Sequence, residues 1–207
     1  NKSIMYISLT HNDENRFGGG NNSKLGLKDD GKELLNYLNN KQIAVDLSHT
    51  SDALAHDIIN QINKHNLNLP VIASHSNSRS VFNHVRNLPD ELISEIVDRK
   101  GLIGINFLRA FVNYETPHAL IDHIEHLQKL GCSKVLSFGA DFFYTFNHPD
   151  PNRFPFYFSE HMNATKYQDI LKGLGNFMSD EDLSAIAYKN FTNFIQRLYA
   201  AGRIDTF

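Results

Sequence analysis

The stretch Ile43-Ala44-Val45-Asp46-Leu47-Ser48-His49 shows the pattern that decides the fold, a short apolar run that ends in polar residues. Four further apolar runs occur along the chain, at residues 4–9, 71–73, 102–107 and 134–138. Their starts lie about 28 to 39 residues apart, the length of a strand–helix unit. Near-continuous apolar strands are typical of a parallel sheet that is buried on both faces.

The segments between these runs carry helix signals. Pro89 suits a first helical turn, and Gly131 suits a helix end. We predict helices over residues 32–38, 52–59, 89–97, 116–130, 167–172 and 180–200. The order of strand and helix over 207 residues predicts an α/β fold built as a single domain.

Composition and charge exclude several classes of protein. The chain has 20 Lys and Arg against 23 Asp and Glu, a net charge of −3, which does not fit a nucleic-acid partner. One cysteine, Cys132, excludes a disulfide framework and a multi-cysteine metal site. No apolar run approaches the roughly 18 residues of a membrane span. We therefore expect no membrane segment and a cytoplasmic location, with a removed leader peptide as the alternative.

Polar side chains stand where four of the five predicted strands end. His11, His49, His75 and Asp141 follow the first, second, third and fifth runs. Catalytic groups of parallel α/β folds collect at the carboxyl ends of strands, and imidazole is a common ligand of zinc. The alternative is that each histidine is a helix cap or a surface residue. We interpret other histidines as solvated, among them His56, His65, His118, His123 and His126.

The triplet His11-Asn12-Asp13 has the His-x-Asp spacing of barrel hydrolases that bind two metal ions at their first strand. Spacing alone would make His11 and Asp13 metal ligands.

Five motifs in order resemble the membrane (renal) dipeptidase family of zinc peptidases and its bacterial relatives. The resemblance covers nearly the whole chain, from the first strand to the final helix. The motifs are Leu9-Thr10-His11-Asn12, Val45-Asp46-Leu47-Ser48-His49, Pro70-Val71-Ile72-Ala73-Ser74-His75-Ser76, Arg86-Asn87-Leu88-Pro89-Asp90 and Phe138-Gly139-Ala140-Asp141-Phe142.

The resemblance implies a distorted (β/α)8 barrel that binds two zinc ions and hydrolyses dipeptides by a metal-activated hydroxide. It makes His49 and His75 ligands of one zinc ion and Arg86 the partner of the substrate's carboxylate. Asp141 then handles the proton and the substrate's amino group. His11 becomes a substrate-side residue that polarises the scissile carbonyl, so that neither His11 nor Asp13 is a metal ligand. Relatives in this family are often homodimers, which makes a homodimer the assembly to test.

Two departures from the family pattern concern the substrate pocket. Most members continue the aspartate motif as Asp-Phe-Asp-Gly, whereas this chain has Asp141-Phe142-Phe143-Tyr144. The loop after His11 carries glycines in place of a common tryptophan. Both changes affect the expected specificity more than the expected reaction.

A third departure is the absence of the family's upstream His-x-Asp and metal-bridging Glu. The first residue is Asn1, and an apolar run begins almost at once. We therefore expect residues 1–207 to be the C-terminal part of one barrel domain, strands four to eight, with at most one zinc site partly present. Three more units of about 30 residues each would complete a barrel of ordinary size.

Two other functions stay open at this point. One is a non-catalytic barrel member or fragment that serves in association. The other is a metal-dependent barrel hydrolase for a non-peptide amide or lactone, which would need His49, His75 and Asp141 but not Arg86.

Overall fold

A parallel sheet organises the structure. The computed structural model describes residues 4–146 and 148–200. Within them the sheet has five strands in chain order, β1 (Tyr6–Ser8), β2 (Ala44–Asp46), β3 (Val71–Ala73), β4 (Leu102–Ile105) and β5 (Leu136–Phe138). Each strand lies inside one of the five predicted apolar runs, and all four pairings are parallel. The predicted α/β class is confirmed.

Helices connect the strands and cover the sheet. They are α1 (Asp29–Leu38), α2 (Asp52–His65), α3 (Asp90–Asp98), α4 (Arg109–Val112), α5 (Ala119–Lys129), α6 (Tyr167–Leu174), α7 (Asp180–Ser184) and α8 (Asn190–Ala200). The side chain of Ser51 caps α2 by accepting from the amide of Leu54. The prediction placed the end of α2 too early and did not include the single turn of α4.

The last predicted helix is divided into two parts. A wide π-type turn over Ala185–Lys189 separates α7 from α8. Directly after it, the side-chain Nδ2 of Asn190 donates to the backbone carbonyls of Ser133 (2.8 Å) and Leu136 (2.7 Å). These bonds attach the start of α8 to the amino end of β5, a tertiary contact that helical periodicity does not reveal.

The two faces of the sheet pack against different layers. Alternate strand residues point to opposite faces of the sheet. The residues of one face, among them Val45, Ile103 and Ile105, belong to the main core. The opposite set packs against α8. It consists of Ala44, Ile72 and Leu102, in contact with Phe194 and Leu198.

His123 corrects one of the sequence interpretations. The side chain is fully buried rather than solvated. Its Nδ1 accepts from the amide of Ser78 (3.3 Å), and its Nε2 donates to the carbonyl of Val112 (3.0 Å). His126 is also half-buried and pairs with Asp90 (3.1 Å). His123 therefore ties the loop after β3 to α4, and its polarity is satisfied inside the core.

Buried His123 predicts a loss of stability in acid. Burial is the main cause that lowers the pKa of His123 from 6.5 to about 4. The unfolded chain takes up a proton first as the pH falls, so stability is lost from about pH 6.5 downward. Between about pH 7 and about pH 5, we expect the wild type to lose about 2 kcal/mol more free energy of unfolding than His123→Gln. Urea unfolding at both pH values measures this, and equal losses in the two proteins would contradict it.

In the part of the chain that the structure describes, no helix has the length and apolar character required to cross a bilayer.

Candidate active site

Three histidines meet beyond the carboxyl ends of β1, β2 and β3. The rings of His11 and His49 are stacked, with centroids 4.1 Å apart and an interplanar angle of 22°. The rings of His49 and His75 are tilted by 60° with centroids 5.0 Å apart. The parallel sheet places these strand ends side by side, so side chains far apart in sequence form one cluster.

The backbone at His49 adopts a left-handed conformation, with φ of 69°. Its carbonyl accepts a hydrogen bond from Thr10 Oγ1 (3.2 Å). Non-glycine residues adopt this conformation only where their surroundings hold it. In this turn the imidazole of His49 lies between the rings of His11 and His75.

A buried carboxylate sets the orientation of His75. Asp46 accepts the hydroxyl hydrogen of Ser74 (2.6 Å), and Ser74 Oγ is also 2.7 Å from His75 Nδ1. Because the one hydroxyl hydrogen of Ser74 goes to Asp46, Nδ1–H of His75 must donate to Ser74. The lone pair of His75 is thereby left on Nε2. Asp46 is held in turn by the hydroxyl of Ser8 (2.8 Å) and the amides of Ser48 (3.0 Å) and Ser74 (2.8 Å).

The two histidines fit a zinc ion. His75 Nε2 is buried and has no hydrogen-bond partner among the described residues. His49 Nδ1 lies 3.3 Å from Asn12 Oδ1, which orients it as a donor and leaves Nε2 for a ligand bond. Zinc sites in proteins use at least three protein ligands. In the described ranges, no group of three or more His, Cys, Asp or Glu residues is arranged to hold a metal ion.

Both imidazoles are held in the neutral form that binds metals. Burial, together with the charge of Arg86 and the neighbouring imidazoles, lowers the pKa of His49 to about 2. Burial also lowers the pKa of His75, against the opposing effect of Asp141. A neutral ring nitrogen is the form that ligates zinc, so no proton competes with the metal at neutral pH.

Arg86 brings a buried cation to the same cluster. It is 5% exposed, donates from Nη2 to the carbonyl of His75 (3.4 Å) and lies over the ring of Phe111, 5.1 Å from its centroid. Its Nε is buried without a partner, and in the described residues the carboxylates of Asp141 and Asp46 act on it as nearby charges without forming an ion pair. Burial lowers the pKa of Arg86 to about 10, so the side chain stays protonated at neutral pH. A guanidinium in this state is suited to bind a carboxylate.

Asp141 reaches the cluster from the end of β5. Its carboxylate Oδ2 accepts from the side-chain Nδ2 of Asn106 (3.1 Å), and its backbone carbonyl accepts from the hydroxyl of Tyr157 (2.5 Å). The backbone of Asp141 is left-handed, with φ of 58°. All five predicted site residues therefore converge, in one neighbourhood at the carboxyl edge of the sheet.

Asp13 lies outside this cluster, in a contact that its spacing does not indicate. The carboxylate of Asp13 accepts from the side-chain Nδ2 of Asn22 (3.1 Å), and the side chain of Asp13 is exposed. Sequence inspection missed the supporting residues Asp46, Ser74, Asn106 and Tyr157. Asp46 and Asn106 interrupt or end apolar runs, which is a signal for buried polar side chains, whereas nothing marks Tyr157.

Comparison with known proteins assigns the family. The model of the family described as membrane dipeptidase (peptidase family M19) matches residues 1–201. The chain belongs to this family. The predicted resemblance is confirmed, including its extent over nearly all of the chain.

Similar proteins include two fungal dipeptidases and a bacterial enzyme of known structure. Dipeptidase verJ of Clonostachys rogersoniana is 34% identical over 146 residues, 67% of this chain and 36% of its own length. An uncharacterized dipeptidase of Schizosaccharomyces pombe is 29% identical over 148 residues, 67% of this chain and 35% of its own length. A metallopeptidase of Rhodobacter sphaeroides, solved with a phosphinate mimic of the dipeptide L-Ala-D-Ala, superposes with a TM-score of 0.79 at 20% identity, covering 93% of this chain and 55% of that one.

This M19 chain spans about a third of the length of those curated relatives in the aligned region, and just over half of the superposed bacterial chain. The superposition shows that the sheet and its helices share the fold of that bacterial metallopeptidase.

Proposed function

We propose that the complete protein is a zinc-dependent dipeptidase and that residues 1–207 form the C-terminal part of its (β/α)8 barrel. Family membership and the names of the relatives support hydrolysis of dipeptides. The observation that carries the proposal is the position of Arg86. A buried guanidinium that lacks a carboxylate partner among the described residues lies against the backbone carbonyl of the proposed metal ligand His75, where a substrate with a terminal carboxylate would satisfy it.

The two edges of the sheet support the proposal that the complete protein has further barrel units. Among the described residues β1 pairs only with β2, and Ile4 and Tyr6 are 62% and 38% exposed. Along β5 an apolar groove of about 440 Å³ lies between Phe138 and residues Tyr167 and Phe191. Unpaired strand edges are rarely left open in native proteins. The intact mass of the protein from its source tests this part, since a complete barrel exceeds the 23.6 kDa of this chain.

Metal binding in this proposal uses His49 and His75, with the remaining ligands outside this chain. Zinc supplies Lewis acidity for the attack of water on a peptide carbonyl. The chain's own contribution is to leave the Nε2 lone pair of each histidine free for a ligand bond, through Asn12 on His49 and the Ser74–Asp46 pair on His75. Such supporting contacts fix ligand orientation and raise metal affinity.

The other three residues act on the substrate. Arg86 binds the C-terminal carboxylate and so limits the substrate to short peptides with a free end. His11, stacked on His49, donates a hydrogen bond to the carbonyl oxygen as negative charge develops on it. Asp141 accepts a proton from the attacking water and transfers it to the leaving amine.

Removal of Arg86 tests the substrate class. In Arg86→Ala we expect KM for L-Ala-D-Ala to rise about 10- to 100-fold, because a hydrogen bond to a charged group contributes about 1.5–3 kcal/mol. For the C-terminal amide of the same dipeptide, the change should be under about threefold, since no carboxylate is there to bind. Steady-state kinetics of the zinc-loaded complete protein measure both values.

The matched control is Arg99→Ala. Arg99 bonds Glu95 and Asn63 beyond the amino ends of the strands, so its loss should leave KM unchanged. An unchanged KM in Arg86→Ala, or an equal rise for the dipeptide and its amide, contradicts the role of Arg86.

The same assay separates the other two functions. Hydrolysis of an N-acyl amide or a lactone, with dipeptides left intact, would favour the non-peptide hydrolase. A zinc-loaded protein that cleaves none of the panel would favour the non-catalytic member.

A further inference from the structure

We infer that Asn106 is a positioning residue that aims the carboxylate of Asp141 at the reacting centre. The inference rests on the proposed function, because it names the partner of the proposed proton-transfer group. Asn106 follows β4, the one strand whose end carries no predicted site residue. It is fully buried.

The amide group of Asn106 contacts Asp141 directly. Nδ2 donates to Asp141 Oδ2 at 3.1 Å and lies 3.5 Å from the carbonyl oxygen of His75. Arg86 Nη2 donates to that same carbonyl oxygen (3.4 Å). The side chain of Asn106 therefore connects the proposed proton-transfer group, Asp141, to the backbone carbonyl of His75. The proposed carboxylate-binding residue, Arg86, contacts the same carbonyl.

The orientation of this amide is determined by its other bonds. Asn106 Oδ1 accepts from the amide of Leu108 (2.7 Å), which only an oxygen can do, so the NH2 group must face Asp141. The backbone of Asn106 is fixed as well. Its N–H donates to Asn77 Oδ1 and its carbonyl accepts from Asn77 Nδ2, both at 3.0 Å. Every polar atom of Asn106 is bonded, which leaves the side chain a single arrangement.

Tyr157 holds the other side of Asp141. Its hydroxyl donates to the Asp141 carbonyl (2.5 Å), at a residue whose φ is 58°. A non-glycine residue keeps a left-handed backbone only where its surroundings determine it. Tyr157 therefore fixes the backbone of Asp141, while Asn106 fixes its carboxylate.

The isosteric change Asn106→Asp tests the inference in the zinc-loaded complete protein. It keeps the oxygen that accepts from Leu108 but replaces the NH2 donor with a carboxylate oxygen, whose negative charge repels that of Asp141. Asn106→Ala, which removes the donor without adding a charge, is therefore measured beside it. We expect kcat per zinc-loaded site to fall about 10- to 100-fold, the usual effect of losing a supporting contact in such sites. KM for the dipeptide should change much less than kcat, and zinc content should match the wild type.

The matched control is Asn190→Asp. Asn190 is also a buried asparagine whose NH2 donates to backbone carbonyls, but it lies at the amino end of β5. Its substitution reports the structural cost of the same chemical change, as a lower melting temperature with kcat per zinc-loaded site unchanged. If Asn106→Asp lowers the melting temperature in the same way and keeps the wild-type kcat, its role is structural and the inference is overturned.

Two further variants separate the possible failures. Asp141→Asn in the same assay tests the proposed function itself: if it retains wild-type kcat, the proton-transfer role of Asp141 fails, whatever Asn106 does. If Asp141→Asn is inactive while Asn106→Asp is fully active, only the positioning role fails. Should Asn106→Asp not fold, Asn106→Ala decides, because it removes the same donor without placing a charge beside Asp141. A wild-type kcat per zinc-loaded site in Asn106→Ala would overturn the inference.

Discussion

His75→Ala is expected to abolish zinc-dependent dipeptide hydrolysis in the complete protein. Its imidazole is a proposed metal ligand whose buried Nε2 has no partner in the described structure, and alanine would leave the metal without that ligand. Because a catalytic metal ion stabilises the transition state by several kcal/mol, we expect kcat/KM to fall about a thousandfold or more. Zinc bound per protein, measured by elemental analysis after dialysis, should fall in parallel.

The matched control for this change is His126→Ala. His126 is a half-buried histidine paired with Asp90 at 3.1 Å, on α5 rather than at a strand end. Its loss should reduce stability modestly and leave zinc content and kcat unchanged. A His75→Ala protein that is folded, retains its zinc and hydrolyses dipeptides at the wild-type rate would refute the ligand assignment.

Asp141→Asn has the second large expected effect. Asparagine keeps the shape of the side chain but cannot accept and return a proton. General acid–base groups contribute about 10²- to 10⁴-fold to rate, so we expect a loss of kcat in this range. Initial rates with saturating L-Ala-D-Ala measure it.

The control for Asp141→Asn is Asp150→Asn, in the same segment of the chain. Asp150 accepts from the amide of Asn152 (3.0 Å) and is exposed, so its substitution should not affect turnover. If Asp141→Asn keeps kcat within about threefold of the wild type, proton transfer by Asp141 is excluded, since this is far below the contribution of such a group.

The sequence predicts most of this fold because its strands are continuous apolar runs. Strand β2 is the clearest example, since Ile43 to Leu47 can be buried on both faces and no helical period competes with it. Helix boundaries are predicted less well: α2 continues to His65, and the turn over Ala185–Lys189 depends on the contact of Asn190 with β5. Such contacts join residues more than 50 positions apart, and local propensity does not encode them.

The same limit explains which site residues could be found. His11, His49, His75 and Asp141 each follow the end of a strand by two or three residues, so a repeated local pattern marks them. Asn106 directly follows β4, but it lies within an apolar run and lacks a charge or an imidazole. Its proposed role depends on the hydrogen bond to Asp141, 35 residues away in sequence, which only the three-dimensional structure reveals. The burial of His123, in contrast, follows from its helix face, because it lies at helical spacing with the buried Leu120, Ile124 and Leu127 of α5.

The central claim is that the complete protein is a zinc-dependent dipeptidase, and metal-dependent turnover tests it most directly. The complete protein is stripped of metal, divided, and assayed with L-Ala-D-Ala before and after zinc is restored. We predict no release of free alanine from the metal-free protein and full recovery of turnover when zinc is restored. Hydrolysis that is equal with and without metal, or no hydrolysis of any dipeptide by the zinc-loaded protein, would contradict it.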